Sequence, residues 1–165
     1  MLNRRETTGL ILAAAMVPAG ALAQEVAATA APSGSDPMEA VALWEAAPDT
    51  VFDAREVEID DFLYLARPIV VFADNPRDPA FVEQMEEITR DLDQLVERDV
   101  LIVVDSDRES GSDLRRRLRP RGFMLAVMGK DGEVKLRKPL PWTVREIGRS
   151  IDKMPIRQRE IRERS

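Results

Sequence analysis

Three short runs carry the side chains that could do chemistry. Asp74-Asn75-Pro76-Arg77-Asp78 sets two carboxylates around a turn, a pattern that serves acid and base roles or holds a ligand at the end of a strand. Asp105-Ser106-Asp107-Arg108-Glu109 alternates oxygen donors as a calcium loop does. Ser110 stands where that loop needs glycine, however, and Arg116 where it needs a bidentate acid, so the run reads as a solvated loop. Arg115-Arg116-Arg117, with Arg119 and Arg121 just beyond, offers guanidinium groups to a phosphate, a lipid headgroup or an acidic protein surface. The competing reading is a solvated helix face.

Composition removes most other chemistry. Among the 165 residues there is no cysteine and no histidine. Thiol exchange, thiol peroxidase chemistry, imidazole acid–base catalysis and Cys/His metal sites therefore lack their reacting groups. Neither a glycine-rich phosphate loop nor a serine nucleophile motif is present. The sequence thus assigns no catalytic residue, no metal and no cofactor. The ligand-binding candidates are Asp74, Asn75, Arg77 and Asp78, and the partner-binding candidates are Arg115, Arg116 and Arg117.

Strands and helices must position these runs. Residues 69–73 and 100–104 are continuous apolar runs that suit strands buried on both faces. Between them Asp78 is placed to cap a helix with Pro79 at its first position. Phe81, Met85, Ile88, Leu92 and Leu95 then predict one amphipathic helix over residues 79–95. Strand, helix and strand in this order imply parallel pairing through a right-handed crossover. A short basic helix over residues 113–119 is broken by Pro120-Arg121-Gly122, and a third strand follows over 123–128. Asp131-Gly132 turns it into an edge strand at Val134-Lys135-Leu136-Arg137. Thr143 and Glu146 form a capping box for a last helix that buries Val144, Ile147, Ile151 and Met154. Residues 157–165 read as a charged tail.

The N-terminal third reads differently. Arg4-Arg5, an apolar run over residues 9–17 and Ala21-Leu22-Ala23 before Gln24 have the layout of a cleaved secretory signal over residues 1–23, and the run is too short to span a bilayer. The expected location is periplasmic or secreted, with no membrane span after cleavage. Residues 24–37 are Ala-rich with few large apolar side chains and read as a flexible tether. Residues 38–61 form an N-terminal extension, with a short helix around Trp44 and an acidic, weakly patterned stretch after it.

Charge is unevenly divided. Residues 24–110 hold 6 basic and 22 acidic side chains, whereas residues 111–165 hold 16 basic and 7 acidic ones, so the two halves are expected to interleave and neutralise each other. On that basis, exchanging Arg115, Arg116 and Arg117 for Gln is expected to alter stability only slightly. Three consecutive arginines cannot all reach the first core helix from one segment, which leaves that short helix a partner-contacting role. Overall acidity without interleaved aromatics argues against nucleic acid as the partner.

The order β-α-β-α-β-β-α over residues 69–154 is the thioredoxin-like arrangement, an α/β fold with a mixed four-stranded sheet and helices on both faces. Gly122-Phe123, then Gly129-Lys130-Asp131-Gly132 with Val134-Lys135-Leu136-Arg137, and finally Ile151-Asp152-Lys153-Met154-Pro155-Ile156-Arg157-Gln158 with Glu160, resemble the signature of the DUF4174 family. That family is a thioredoxin- and peroxiredoxin-related domain of unknown function, found in exported bacterial proteins and in animal sushi-repeat-containing extracellular proteins. The resemblance covers residues 62–156, with the charged tail belonging to the same signature, and it implies a fold and an extracytoplasmic habitat but no activity. The expected function is an exported, cysteine-free interaction or accessory domain for a protein or small anionic partner. The alternatives are a carboxylate-based enzyme using Asp74, Asp78 or Asp105, and a stress-related accessory factor of a periplasmic complex.

Overall fold

The computed structural model describes residues 37–164, so the expected signal over 1–23 and nearly all of the expected tether over 24–37 lie outside the described residues. Three strands, β2 (Arg67–Phe72), β3 (Val100–Asp105) and β4 (Met124–Met128), are almost wholly buried, as their continuous apolar sequences require. With β1 (Val51–Asp53) and β5 (Val134–Lys138) they form one open sheet in the order β1-β3-β2-β4-β5. Strands β1 and β2 run parallel to β3, while β4 is antiparallel to both β2 and β5. The sheet is therefore mixed and five-stranded, not four-stranded.

The extra strand comes from the acidic stretch before residue 62. Only Phe52 of its three residues is buried, too little alternation to register as a strand signal. A 3-10 turn over Ile59–Phe62 follows and buries both of its apolar ends. Within residues 38–61, Ala40, Trp44, Phe52, Ala54, Val57 and Ile59 join the core.

Alternation along the strands divides the core into two layers. Val70, Phe72, Leu101, Val103, Ala126 and Met128 pack against α1 (Pro37–Ala46), the 3-10 turn and α4 (Asp113–Leu118), through Trp44, Phe62, Leu114 and Leu118. Trp44 fits because its indole N–H finds the Val100 carbonyl at 3.2 Å. On the other face, Ile69, Val71, Val100, Ile102, Leu125 and Val127 meet α2 (Pro79–Arg90), α3 (Leu92–Val96) and α5 (Val144–Asp152).

The single helix predicted over 79–95 is two. Asp91, at φ −124° and ψ 33°, separates α2 from α3. Ile88 and Leu95 stay buried on either side, so the apolar stripe spans the break and periodicity does not reveal it. Glu87 pairs with Arg90 in its own helix. Arg98, just after α3, forms an ion pair with Asp152 of α5 at 2.9 Å. Buried Gln84 supplies a second tie: its amide donates to the Trp142 carbonyl at 2.9 Å and accepts the Trp142 N–H at 2.8 Å.

Both caps form as the sequence predicts. Asp78 Oδ1 accepts the Ala80 and Phe81 amides at 2.9 and 3.4 Å, and Thr143 with Glu146 makes a complete capping box. Asp78→Ala is expected to cost about 1 kcal/mol, read as a shift in the urea midpoint; an unshifted midpoint would show that the cap bonds add nothing. The charged tail forms α6 (Pro155–Arg164).

Candidate functional site

Strands β2 and β3 end side by side at Phe72 and Asp105, and the α4–β4 loop returns to the same edge. Asp74, Arg108, Arg115, Arg119, Pro120, Arg121 and Gly122 line a cleft there of about 400 Å3. Arg115 is its fixed point. Its Nε and Nη2 donate to Asp105 Oδ1 at 3.1 and 2.8 Å, and Nη2 also donates to the carbonyls of Ala73 and Asp105 at 2.7 and 2.9 Å. The guanidinium lies 5.6 Å over the Phe72 ring, a further attraction. Its Nη1 makes none of these bonds and faces Asp74 Oδ1 at 3.7 Å.

The Asp105 side chain beneath is fully buried. Its other oxygen accepts from Ser110 Oγ at 2.9 Å and Ser112 Oγ at 2.5 Å. Burial pushes this carboxyl up, but the hydrogen bonds from Arg115, Ser112 and Ser110 outweigh it, and it titrates below the ordinary 3.8. What resembled a calcium loop spends its first ligand on protein donors.

The rim is cationic. Arg119 closes α4 in the left-handed region at φ 50° and ψ 58°, and Gly122 at φ 68° turns the chain again. Arg119 and Arg121 are exposed, with no carboxylate partner among the described residues. Arg108, 77% exposed, faces Asp74 Oδ2 at 3.7 Å.

The structure separates the sequence candidates. Asp74 lines the cleft, whereas Asn75 closes the turn by accepting the Arg77 amide at 2.9 Å. Arg77 is exposed and outside the cleft lining, and Asp78 is engaged in capping α2. The arginine trio splits three ways, because neighbouring helical residues face different directions. Arg115 is locked on Asp105, Arg116 pairs with Asp113, and Arg117 lies 3.5 Å from Asp60 and 3.4 Å from the Gly132 carbonyl. The three are not brought together: Arg115 forms a largely buried lock, and Arg116 and Arg117 form surface pairs. Arg108, Arg119 and Arg121 complete the cleft, and the turn chemistry of Arg119-Pro120-Arg121-Gly122 is the local signal that returns two of them to the strand ends.

A second charge cluster closes the opposite end of the sheet. Arg67, fully buried at the start of β2, donates to Glu160 Oε2 at 2.8 Å and to the Arg98 carbonyl at 2.8 Å. Lys130 bridges Glu160 and Asp99 at 3.1 and 2.9 Å. Glu160 and Asp152 are pushed up by burial but pulled further down by their cations, chiefly Arg67 and Lys130 for Glu160 and Arg98 for Asp152, so both titrate below the ordinary 4.5 and 3.8. Groups with lowered folded pKa values stabilise fully above their unfolded values and lose that contribution as pH falls through the folded ones. The thermal midpoint is accordingly expected to hold from neutral pH to about 5 and to drop below about pH 4; a midpoint flat to pH 3 would contradict these pairings.

Among the described residues, no helix is long and apolar enough to cross a membrane, and no group of three or more acidic side chains is placed to hold a metal ion. Neither the curated proteins nor the solved structures give a match to the chain. A family model described as a domain of unknown function matches residues 58–160, reaching from the 3-10 turn to the glutamate that pins α6 on Arg67. That span is more than half of the chain, and the chain belongs to the DUF4174 family.

Proposed function

We propose that this protein is an exported, non-catalytic binding module of thioredoxin-like design that holds an anionic group of a protein or small-molecule partner in the cleft at the carboxyl ends of β2 and β3. One observation carries the reading. Arg115 is immobilised by four hydrogen bonds yet keeps Nη1 towards the cleft, beside Arg119 and Arg121, which have no carboxylate partner among the described residues. A cation fixed in advance loses little entropy when an anion arrives, and the two rim arginines add charge without first having to break an ion pair.

Other observations support the finer parts of this reading. The order from β2 to α5 in a mixed sheet with helices on both faces supports the thioredoxin-like design. The signal pattern of residues 1–23 supports export to the periplasm or beyond. Acid–base catalysis has no comparable support, since the Arg115 guanidinium stands between Asp74 and Asp105 and Asp78 is engaged as a cap.

Calorimetric titration of the mature chain with citrate and with a Glu-rich peptide tests the reading at low and at high salt. Binding is expected to weaken as salt rises, and Arg119→Gln with Arg121→Gln to lower affinity at least about tenfold. Both side chains are exposed, so the fold should survive the change. Absence of binding to either probe, or equal affinity in the double variant, would defeat the proposal.

A further inference from the structure

Building on the anion-binding reading above, we infer that Asp74 is a displaceable internal counter-ion of the cleft, and that it tunes the site to a doubly charged tetrahedral oxyanion, inorganic phosphate or a phosphomonoester. Asp74 Oδ1 lies 3.7 Å from Arg115 Nη1, and Oδ2 lies 3.7 Å from Arg108 Nη1. Both distances exceed hydrogen-bond reach. Its side chain accepts no hydrogen bond from the described residues and is 36% exposed. The contrast with Asp105 is direct: there five donors, Arg115 Nε and Nη2, Ser110, Ser112 and the Asp107 amide, hold a fully buried carboxylate. Asp74 is held by the field of two cations and not by bonds, so it can swing aside.

An anion that takes Arg115 Nη1 must occupy the space Asp74 faces. A single charge exchanges like for like and gains little, whereas two charges outcompete the resident carboxylate. Shape points the same way. The planar fork of Arg115, Nε with Nη2, is already on Asp105, so this arginine offers an incoming anion a single donor, Nη1, and not a bidentate pair. The remaining donors arrive from three segments: Nη1 from α4, Arg108 from the β3–α4 loop, and Arg119 with Arg121 from the α4–β4 loop. Donors from several directions suit an anion whose oxygens point apart.

The test is calorimetry at pH 7.5 and low salt, where a phosphomonoester carries close to two charges. Inorganic phosphate, acetate and a phosphoserine peptide would be titrated into the wild type, Asp74→Asn, and the Arg119→Gln/Arg121→Gln double variant. Wild type should favour phosphate over acetate by about tenfold or more, and Asp74→Asn, which removes the resident competitor, should tighten phosphate about tenfold and acetate by no more than that. If phosphate binding depends on Arg119 and Arg121 but Asp74→Asn leaves it unchanged or weaker, the counter-ion role is overturned while the binding reading stands. If phosphate and acetate bind neither wild type nor Asp74→Asn, both fall. Acetate preferred by wild type would overturn the doubly charged ligand. A phosphopeptide tighter than phosphate assigns the group to a protein partner and the reverse to a small molecule, and either order supports the shared chemistry.

Discussion

Glu160→Ala is expected to lower unfolding stability by about 3 kcal/mol, although the residue sits on a C-terminal helix whose sequence reads as solvated charge. The reason lies 93 residues away: Arg67 is fully buried, and Glu160 Oε2 at 2.8 Å is its closest carboxylate oxygen. Removing one member of a buried pair strands the other charge, which costs about 3–5 kcal/mol. The low end applies because Asp99 remains 3.5 Å from Arg67 and because the Glu160 side chain is 18% exposed. Lys130 would then share Asp99 with Arg67. Glu163→Ala, an exposed change on the same helix, should stay within about 0.5 kcal/mol and serves as the control. Arg67→Met combined with Glu160→Leu should recover most of the loss, since an apolar replacement removes both charges together. Urea midpoints measure all of these, and a Glu160→Ala cost under about 1 kcal/mol would mean that Arg67 is not left unpaired.

What the sequence discloses and what it hides divide by distance along the chain. The Asp78 cap and the Thr143–Glu146 box are legible because donor and acceptor lie within three residues. The strands 69–73 and 100–104 are legible because burial on two faces demands unbroken apolar runs. Strand β1 is not, since Phe52 gains its burial only where Val51, Phe52 and Asp53 align with Ile102, Val103 and Val104. The arginines are hidden for the same reason. Nothing in Arg115-Arg116-Arg117 says that the first will reach the Ala73 carbonyl, 42 residues back, while the other two stay at the surface. The cleft is half legible: strand-end logic places Asp74, but its cationic surroundings depend on a left-handed stop at Arg119 that brings a distant loop to the same edge.

Arg115→Gln is expected to cost about 3–5 kcal/mol, against the slight effect that a surface arginine run implies. Asp105, its partner, has no exposed side-chain surface, so the variant buries a carboxylate with no cation on it, served by the hydroxyls of Ser110 and Ser112 and the distant Asp107 amide at 3.4 Å. Arg116→Gln and Arg117→Gln, at exposed surface pairs, should each change stability by no more than about 1 kcal/mol. Nearly all the cost of the triple change thus falls on one residue, and Arg115 variants cannot serve as clean probes of binding. The pH dependence separates lost charge pairing from lost packing. With Arg115 gone, burial dominates at Asp105 and lifts its folded pKa above the unfolded value near 3.8. A buried group with a raised pKa destabilises above that pKa and is relieved as protonation neutralises it on acidification. The gap between wild type and Arg115→Gln should therefore be widest near pH 7 and shrink towards pH 4. Asp105→Asn added to Arg115→Gln should flatten that difference, because no buried charge then remains to titrate. An equal gap at both pH values would place the penalty in the lost packing over Phe72 and not in the stranded carboxylate.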